Sequence, residues 1–176
     1  LKSSVSASVN ADGTVNLPWL HPGVTPLVTA AIALRYRLLP TLWALFVRAR
    51  MRDDIARDVA DVLVEGDLLG HTTHGLALAA PYLGELEKGS MTKAGEPTVV
   101  AKQPATQTWD GGRLPGPWLT LRALDAAIAM ASTQGTGTVV IRRSHHIACL
   151  EAYLKRATDR GMMALVYSSD PVAASV

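Results

Sequence analysis

Two pairs of histidines are the residues of this chain best suited to chemistry near neutral pH, because imidazole is the side chain whose ordinary titration falls there. The first pair stands in Gly66-Asp67-Leu68-Leu69-Gly70-His71-Thr72-Thr73-His74-Gly75. The second, His145 and His146, follows the run Thr138-Val139-Val140-Ile141 and the polar residues Arg142, Arg143 and Ser144. A β-branched run fits a buried strand, and a strand that ends in a polar turn and feeds a helix is where α/β proteins place their ligands. General acid–base catalysis on a small polar substrate is the simplest chemistry the two centres can share. Spacing alone does not separate this from histidines in loops, one solvated and another bonded to backbone.

Other chemistries find less support. His71 and His74 lie at i, i+3, a spacing that can share a metal on a helix. No Cys-x-x-Cys, no His-Glu-x-x-His and no carboxylate at ligand spacing accompanies them, so no metal is expected. Gly111-Gly112…Gly116 lacks a following Lys-Ser/Thr and is not a phosphate loop, and Gly135-x-Gly137 precedes a strand rather than following one. A nucleophile elbow, Gly-x-Ser-x-Gly, does not occur. The single cysteine, Cys149, falls in an apolar run and reads as core.

The elements that must position the histidines can be read in order. Residues 1–35 form an unmatched leader rich in Ser, Asn, Gly and Pro, a composition that favours turns over packing, and His21 within it reads as a surface residue. Leu38–Met51 predicts a helix opened by Pro40 at its first position, with Leu42, Leu45, Phe46 and Ala49 on one face. A second helix, capped by Asp53 or Asp54, buries Ile55, Val59, Val62 and Leu63 and fades at Gly66. Leu76 to Glu87 is helical again and closes at Gly89. Thr98–Ala101 and Thr106–Asp110 are extended and pair across Gln103-Pro104. A strong helix runs from Pro117 to Gly135 through Leu121, Leu124, Ile128 and Ala131. The Val139 strand follows, then a helix over 148–160 and a strand over 162–167.

Composition bounds the rest. The chain has 176 residues, 48% of them hydrophobic, and a formal net charge of +2, enough for one core and with no demand for a nucleic-acid partner. One cysteine rules out an internal disulfide framework and makes a cytoplasmic setting the default expectation. The most apolar stretch, Leu27–Val47, is interrupted by Arg35, Arg37 and Pro40, so no membrane partner is expected. Strand, helix and strand precede the last residues with little sequence left to cover a sheet, which predicts a truncated, incomplete α/β domain over 91–176 behind a helical region over 36–90.

From about residue 36 onward the sequence resembles the malate/L-lactate dehydrogenase family, the type that includes ureidoglycolate, sulfolactate and piperideine-carboxylate oxidoreductases. The likeness rests on Gly66-Asp67-Leu68-Leu69-Gly70-His71-Thr72-Thr73-His74-Gly75 with Tyr82 and Gly89, and on Arg142-Arg143-Ser144-His145-His146 with Tyr153 and Gly161, which is similar to a second signature, Arg-Asn-Ser-x-His. Asp110-Gly111, Gly116, the alanine-rich helix and Gly135 fall between them in the family's order.

The resemblance implies an α/β fold of N-terminal helices and a mixed sheet with crossing helices, not a Rossmann fold. It implies NAD- or NADP-dependent hydride transfer to or from a small 2-hydroxy, 2-oxo or imino acid, in an enzyme that is a homodimer at full length. His146 takes the position of the catalytic acid/base. Thr73 and His74 match a pair lining the substrate pocket, to which Tyr82, Arg142 and Ser144 are added, and Ser169 falls where cofactor contacts begin. Three positions depart from the pattern. Leu78 stands where an arginine often holds the substrate carboxylate, Arg143 where Asn is common, and Ala148 where Gly is common. Arg142 or Arg143 is the guanidinium available to replace the missing one. Two other readings remain: a truncated product keeping only folding or dimer contacts, and a peripheral membrane protein held by the arginine-rich helix.

Overall fold

The computed structural model describes residues 22–169. Its first element, α1 (Thr25–Arg48), begins earlier than the sequence suggests. Pro26 sits in the first turn, where its missing N–H costs nothing, and Pro40 lies inside the helix instead of opening it. α1 thus reaches back into the stretch that the sequence assigns to the leader, while residues 1–21, His21 among them, lie outside the described residues. By length and composition α1 is apolar enough to cross a bilayer. Arg35 and Arg37 lie near its middle, and its C-terminal half buries Leu42 and Phe46 against the rest of the chain.

Helix α2 (Asp53–Leu68) is the spine of the core. Ile55, Val59 and Leu63 are completely buried, joined by Val62 and Val64. Each such side chain contributes about 1.5–3 kcal/mol of burial. Asp53 and Asp54 occupy its first turn, and Arg52 is the N-cap residue. The two acids thus favour the helix through its dipole and not as side-chain caps. Around the start of α4 (Gly116–Gln134), Trp118 is sealed between the guanidinium groups of Arg52 and Arg122, at 5.1 and 5.4 Å from its ring centre. Its indole N–H reaches Asp54 at 3.3 Å.

Between these helices, two 3-10 turns (Thr72–His74 and Leu76–Leu78) lead into α3 (Ala79–Lys88), which ends on Gly89 in the left-handed conformation. Strands β1 (Thr98–Gln103) and β2 (Thr106–Asp110) form an antiparallel hairpin with an irregularity between Val99 and Ala101. Helix α4 then crosses over to β3 (Thr138–Arg142), which lies parallel to β2 in register Thr106 with Thr138 through Asp110 with Arg142. The sheet among the described residues is therefore mixed, as the family resemblance implies, and its strand order is β1-β2-β3.

Two later expectations fail. The 148–160 helix is a 3-10 turn (Leu150–Tyr153) and a short α5 (Lys155–Thr158). Ala148 has φ 57° and Cys149 is extended, so neither continues a helix. The apolar spacing was real, since Tyr153 and Ala157 are buried. Residues 162–167 form no strand. Their burial alternates as a strand's would, but no neighbour pairs with them among the described residues, and Met163, Leu165 and Tyr167 stay exposed.

Candidate active site

The loop after α2 is folded back onto that helix by close contacts. The Asp67 carboxylate accepts the Leu76 N–H, and a Cβ on Gly75 would collide with that same carboxylate. A Cβ on Gly66 would lie 2.8 Å from the carbonyl oxygen of His74. Backbone bonds His71 N to Gly66 O at 2.9 Å and His74 N to His71 O at 2.8 Å close the turn. His74 thus leaves the end of a buried helix at a defined angle, and Thr73 Oγ1 lies 3.0 Å from its Nδ1.

The second loop is held by a clamp at the end of the sheet. Asp110, the last residue of β2, accepts Arg143 Nε at 2.8 and 3.0 Å, Arg142 Nε at 3.1 Å and the Gly112 N–H at 3.0 Å. The Arg143 bond, above all, holds the Asp110 carboxyl below the usual carboxylate range. Arg143 has φ 53°, and the turn it makes is tied down by Arg113 N to Arg143 O at 2.7 Å and His145 N to Leu114 O at 3.1 Å. Gly116, the first residue of α4, packs its bare Cα against the carbonyls of His145 and His146. Ser144 Oγ donates to the His145 carbonyl at 2.8 Å, and Tyr153 Oη donates to the Ile147 carbonyl.

The two loops meet over a cleft of about 670 Å³. The rings of His74 and His146 stack there with centres 5.7 Å apart and planes inclined by 26°. Ile147, Ala148, Leu150 and Leu154 give the cleft an apolar lining, and Ser168 lines it as well. Also on the lining, His71 Nε2 lies 3.0 Å from Glu151 Oε2. Behind His146 the buried Tyr82 hydroxyl sits 3.0 Å from its Nδ1 and donates to its carbonyl oxygen at 3.0 Å, and the Ala148 N–H donates to Nδ1 at 3.2 Å. Burial pushes the Tyr82 phenol well above its ordinary range, so it keeps its proton. A smaller cavity of about 300 Å³, bounded by α1, α2, Leu121, Ala152 and Arg156 and lined by Asp58, Asp61 and Glu65, contains no histidine. Among the described residues no group of three or more His, Cys, Asp or Glu side chains is placed to hold a metal ion.

Of the residues singled out in the sequence, His71, His74, His146 and Cys149 line the cleft and Thr73 adjoins it through His74. Tyr82 does not line the wall but contacts His146 from inside. Ser144 is turned into its own loop. Arg142 and Arg143 are committed to Asp110, and neither lies on the cleft wall. Ser169 is exposed, and its neighbour Ser168 lines the cleft instead. His145 is half-buried with Glu85 at 3.7 Å; burial lowers its titration, and the nearby carboxylate only partly offsets this. Sequence reading missed Glu151, which carries no pattern of its own, and the role of Asp110 as a clamp. The pairing of Asp110-Gly111 with Arg142-Arg143 across the strand register was the available signal for the latter.

The sequence model of the malate/L-lactate dehydrogenase family matches residues 37–176. The chain belongs to that family. It is 28% identical over 123 residues to the L-sulfolactate dehydrogenase of Methanocaldococcus jannaschii, covering 69% of this chain and 36% of that protein. It is 32% identical over 116 residues to the L-lactate dehydrogenase of Cupriavidus necator, covering 66% and 33%. Among solved structures, the malate dehydrogenase of Pyrococcus horikoshii superposes with a TM-score of 0.70 at 26% identity, over 72% of this chain and 36% of that one. The chain thus spans about a third of the length of the relatives it matches. Their names support a dehydrogenase with hydroxy-acid substrates as the family's activity.

Proposed function

We propose that this chain carries the proton-transfer centre of an NAD- or NADP-dependent dehydrogenase of small 2-hydroxy, 2-oxo or imino acids, with His146 as the acid/base. The observation that carries this reading is the meeting of His74 and His146, from segments far apart in sequence, at one end of a cleft with an apolar wall. Proton exchange with a substrate oxygen at Nε2 requires Nδ1 to carry the other ring proton, which the Tyr82 hydroxyl oxygen can accept while it donates to the His146 carbonyl. In oxidation His146 takes the hydroxyl proton as the hydride leaves the same carbon; in reduction it returns that proton. Thr73 and His74 hold the substrate oxygen beside it.

The residues present fit one part of the cofactor. The apolar wall of Ile147, Leu150 and Leu154 with the Ser168 hydroxyl suits a flat amide-bearing ring, and Ser169 stands just beyond. A bound nicotinamide would supply the hydride acceptor or donor there. No Lys or Arg lines this cleft among the described residues, so cofactor phosphates and the substrate carboxylate call for partners elsewhere in the protein. That observation also favours a second reading, in which the chain by itself folds but catalyses nothing. The family likeness further supports a homodimer, which light scattering tests.

The deciding experiment follows NADH and NADPH consumption with pyruvate, oxaloacetate and 3-sulfopyruvate. Turnover that falls by about 10²–10⁴ in His146→Ala supports the first reading, and turnover within tenfold of the parent sinks it. A parent chain that consumes neither cofactor with any of the acids favours the second.

A further inference from the structure

Helix α1 meets the core with one side and near one end. Its buried residues are Leu42 and Phe46, and none is buried before Leu42. A helix turns by about 100° per residue, so Leu27, Leu34, Leu38 and Leu45 fall within about 20° of one straight line, about 27 Å long. All four are exposed, Leu27 by 70% and Leu34 by 56%. Leu42 and Phe46 lie roughly 60–100° round the helix from this line on the core side, and Arg37 and Arg48 roughly 60–80° round on the other. Arg35 faces Asp67 at 3.8 Å, whereas Arg37 and Arg48 make no ion pair among the described residues. The helix contains no Asp or Glu. Asp58, Asp61 and Glu65 of α2 border the cavity that Tyr36 lines, and Tyr36 is half a turn round from Leu27.

We propose that this side of α1 docks on an anionic lipid bilayer. The helix lies in the plane of the headgroups, with the four leucines towards the acyl chains and Arg37 and Arg48 at lipid phosphates. A straight line of leucines fits a flat surface, and the residues between them, Ala30, Ala31 and Thr41, are small. Apolar contact and attraction to anionic lipid act together in binding of this kind. A second copy of α1 would bring arginines to arginines with no acid on either helix, so like charges oppose self-pairing. Arg35, Arg37 and Pro40 count against a helix that spans the bilayer. They do not count against one lying on it, where a long cationic side chain lays its stem on the apolar layer and its charge among the headgroups. Leu42 and Phe46, seated in the core, keep α1 on the body of the protein. The proposal reverses the sequence expectation of no membrane partner and is independent of the catalytic reading.

The test is flotation of the 176-residue chain with lipid vesicles. Vesicles of phosphatidylcholine carrying about one-third phosphatidylglycerol should take up the protein, and vesicles of phosphatidylcholine alone about tenfold less. Raising NaCl from about 50 mM to about 500 mM should release most of it, because salt screens the arginines. Leu27→Ser with Leu34→Ser, and separately Arg37→Gln with Arg48→Gln, should each lower partitioning about tenfold or more. These four side chains are exposed, so the urea unfolding midpoint should not move. Tyr36→Ser, on the opposite side of the helix, should change partitioning by less than about twofold. No uptake by the anionic vesicles overturns the proposal, as does equal uptake by both vesicle types or uptake that either double variant keeps. A dimer in light scattering that Leu27→Ser with Leu34→Ser dissociates also overturns it, by giving the leucine line to a second copy. Should a variant lose its cooperative urea transition, the lipid and salt dependence of the parent chain decides. None of these readouts needs turnover.

Discussion

Gly116→Ala isolates the contact that seats the histidine loop. Gly116 opens α4, and its backbone does not require glycine, so alanine should favour the helix, by up to about 1 kcal/mol in a helix interior and less in the first turn. Against this stand three backbone atoms. A Cβ at this position would meet the His145 carbonyl oxygen at 2.5 Å, the His146 carbonyl carbon at 2.6 Å and the His146 carbonyl oxygen closer still. Ordinary contact begins at 3.4 Å, so the His145 oxygen alone must retreat by about 0.9 Å and the His146 oxygen by more. No side-chain rotation provides it. The loop is pinned by His145 N to Leu114 O and Arg113 N to Arg143 O, and it must move as a body. Overpacking of this kind costs about 1–3 kcal/mol, and after the helix gain the net loss is about 1–2 kcal/mol. Gly84→Ala is the matched control. It lies within α3 with nothing inside 4 Å of the new methyl and should gain about 0.5–1 kcal/mol. Urea unfolding of both variants measures the difference. Gly116→Ala matching or exceeding Gly84→Ala in stability would refute the close-approach argument. In a version that turns over, the displaced His146 should also cost rate on the order of 10²-fold.

Three further outcomes follow from the packing and the site. Phe46→Ala, at a side chain that is fully buried where α1 meets the core, should cost about 3–5 kcal/mol in the same urea assay, and a loss under 1 kcal/mol would place α1 outside the cooperative unit. His145 titrates lower folded than its ordinary 6.5 because burial disfavours the cation, so the unfolded chain binds the extra proton first; the stability this site holds above pH 6.5 is lost as pH falls towards the folded value, and His145→Gln should flatten the stability profile below 6.5. His74→Ala should raise KM or lower kcat in a turning-over version, whereas His71→Ala, whose imidazole is engaged with Glu151, should change either by less than about threefold, and the reverse ranking in steady-state kinetics would exchange their roles.

The elements legible in the sequence are those whose burial is periodic and whose ends are marked locally. Helix α2 shows its stripe from Ile55 to Leu63, α3 and α4 stop at glycines in the left-handed conformation, and the hairpin shows two extended runs around Gln103-Pro104. The misread elements are those set by partners distant in sequence. Pro40 reads locally as a helix opener, yet α1 runs through it, with Leu42 and Phe46 seated on the core beyond. The 148–160 segment has helix spacing, but the left-handed Ala148 and the Tyr153 hydroxyl bonded back to Ile147 break it into turns. Residues 162–167 alternate as a strand does, and alternation alone cannot supply the neighbour that makes one.

At the site, residue spacing pointed to both histidine pairs, and the family resemblance ranked His146 above its neighbour His145. The two are adjacent and chemically identical, and the structure separates them through backbone geometry. Arg143 turns into the left-handed region because Asp110 holds its guanidinium, which brings the His145 N–H onto Leu114 O and its ring towards Glu85 and Tyr82. The next residue is thereby thrown to the cleft side, where His74 arrives from the loop folded against Gly66 and Asp67. The same clamp that aims His146 uses up Arg142 and Arg143, the guanidinium groups that sequence offered for the substrate carboxylate. On the proposed reading, aim and substrate charge recognition fall to different residues: the first to Asp110, Gly116 and Tyr82, the second to a group not on the described wall of the cleft.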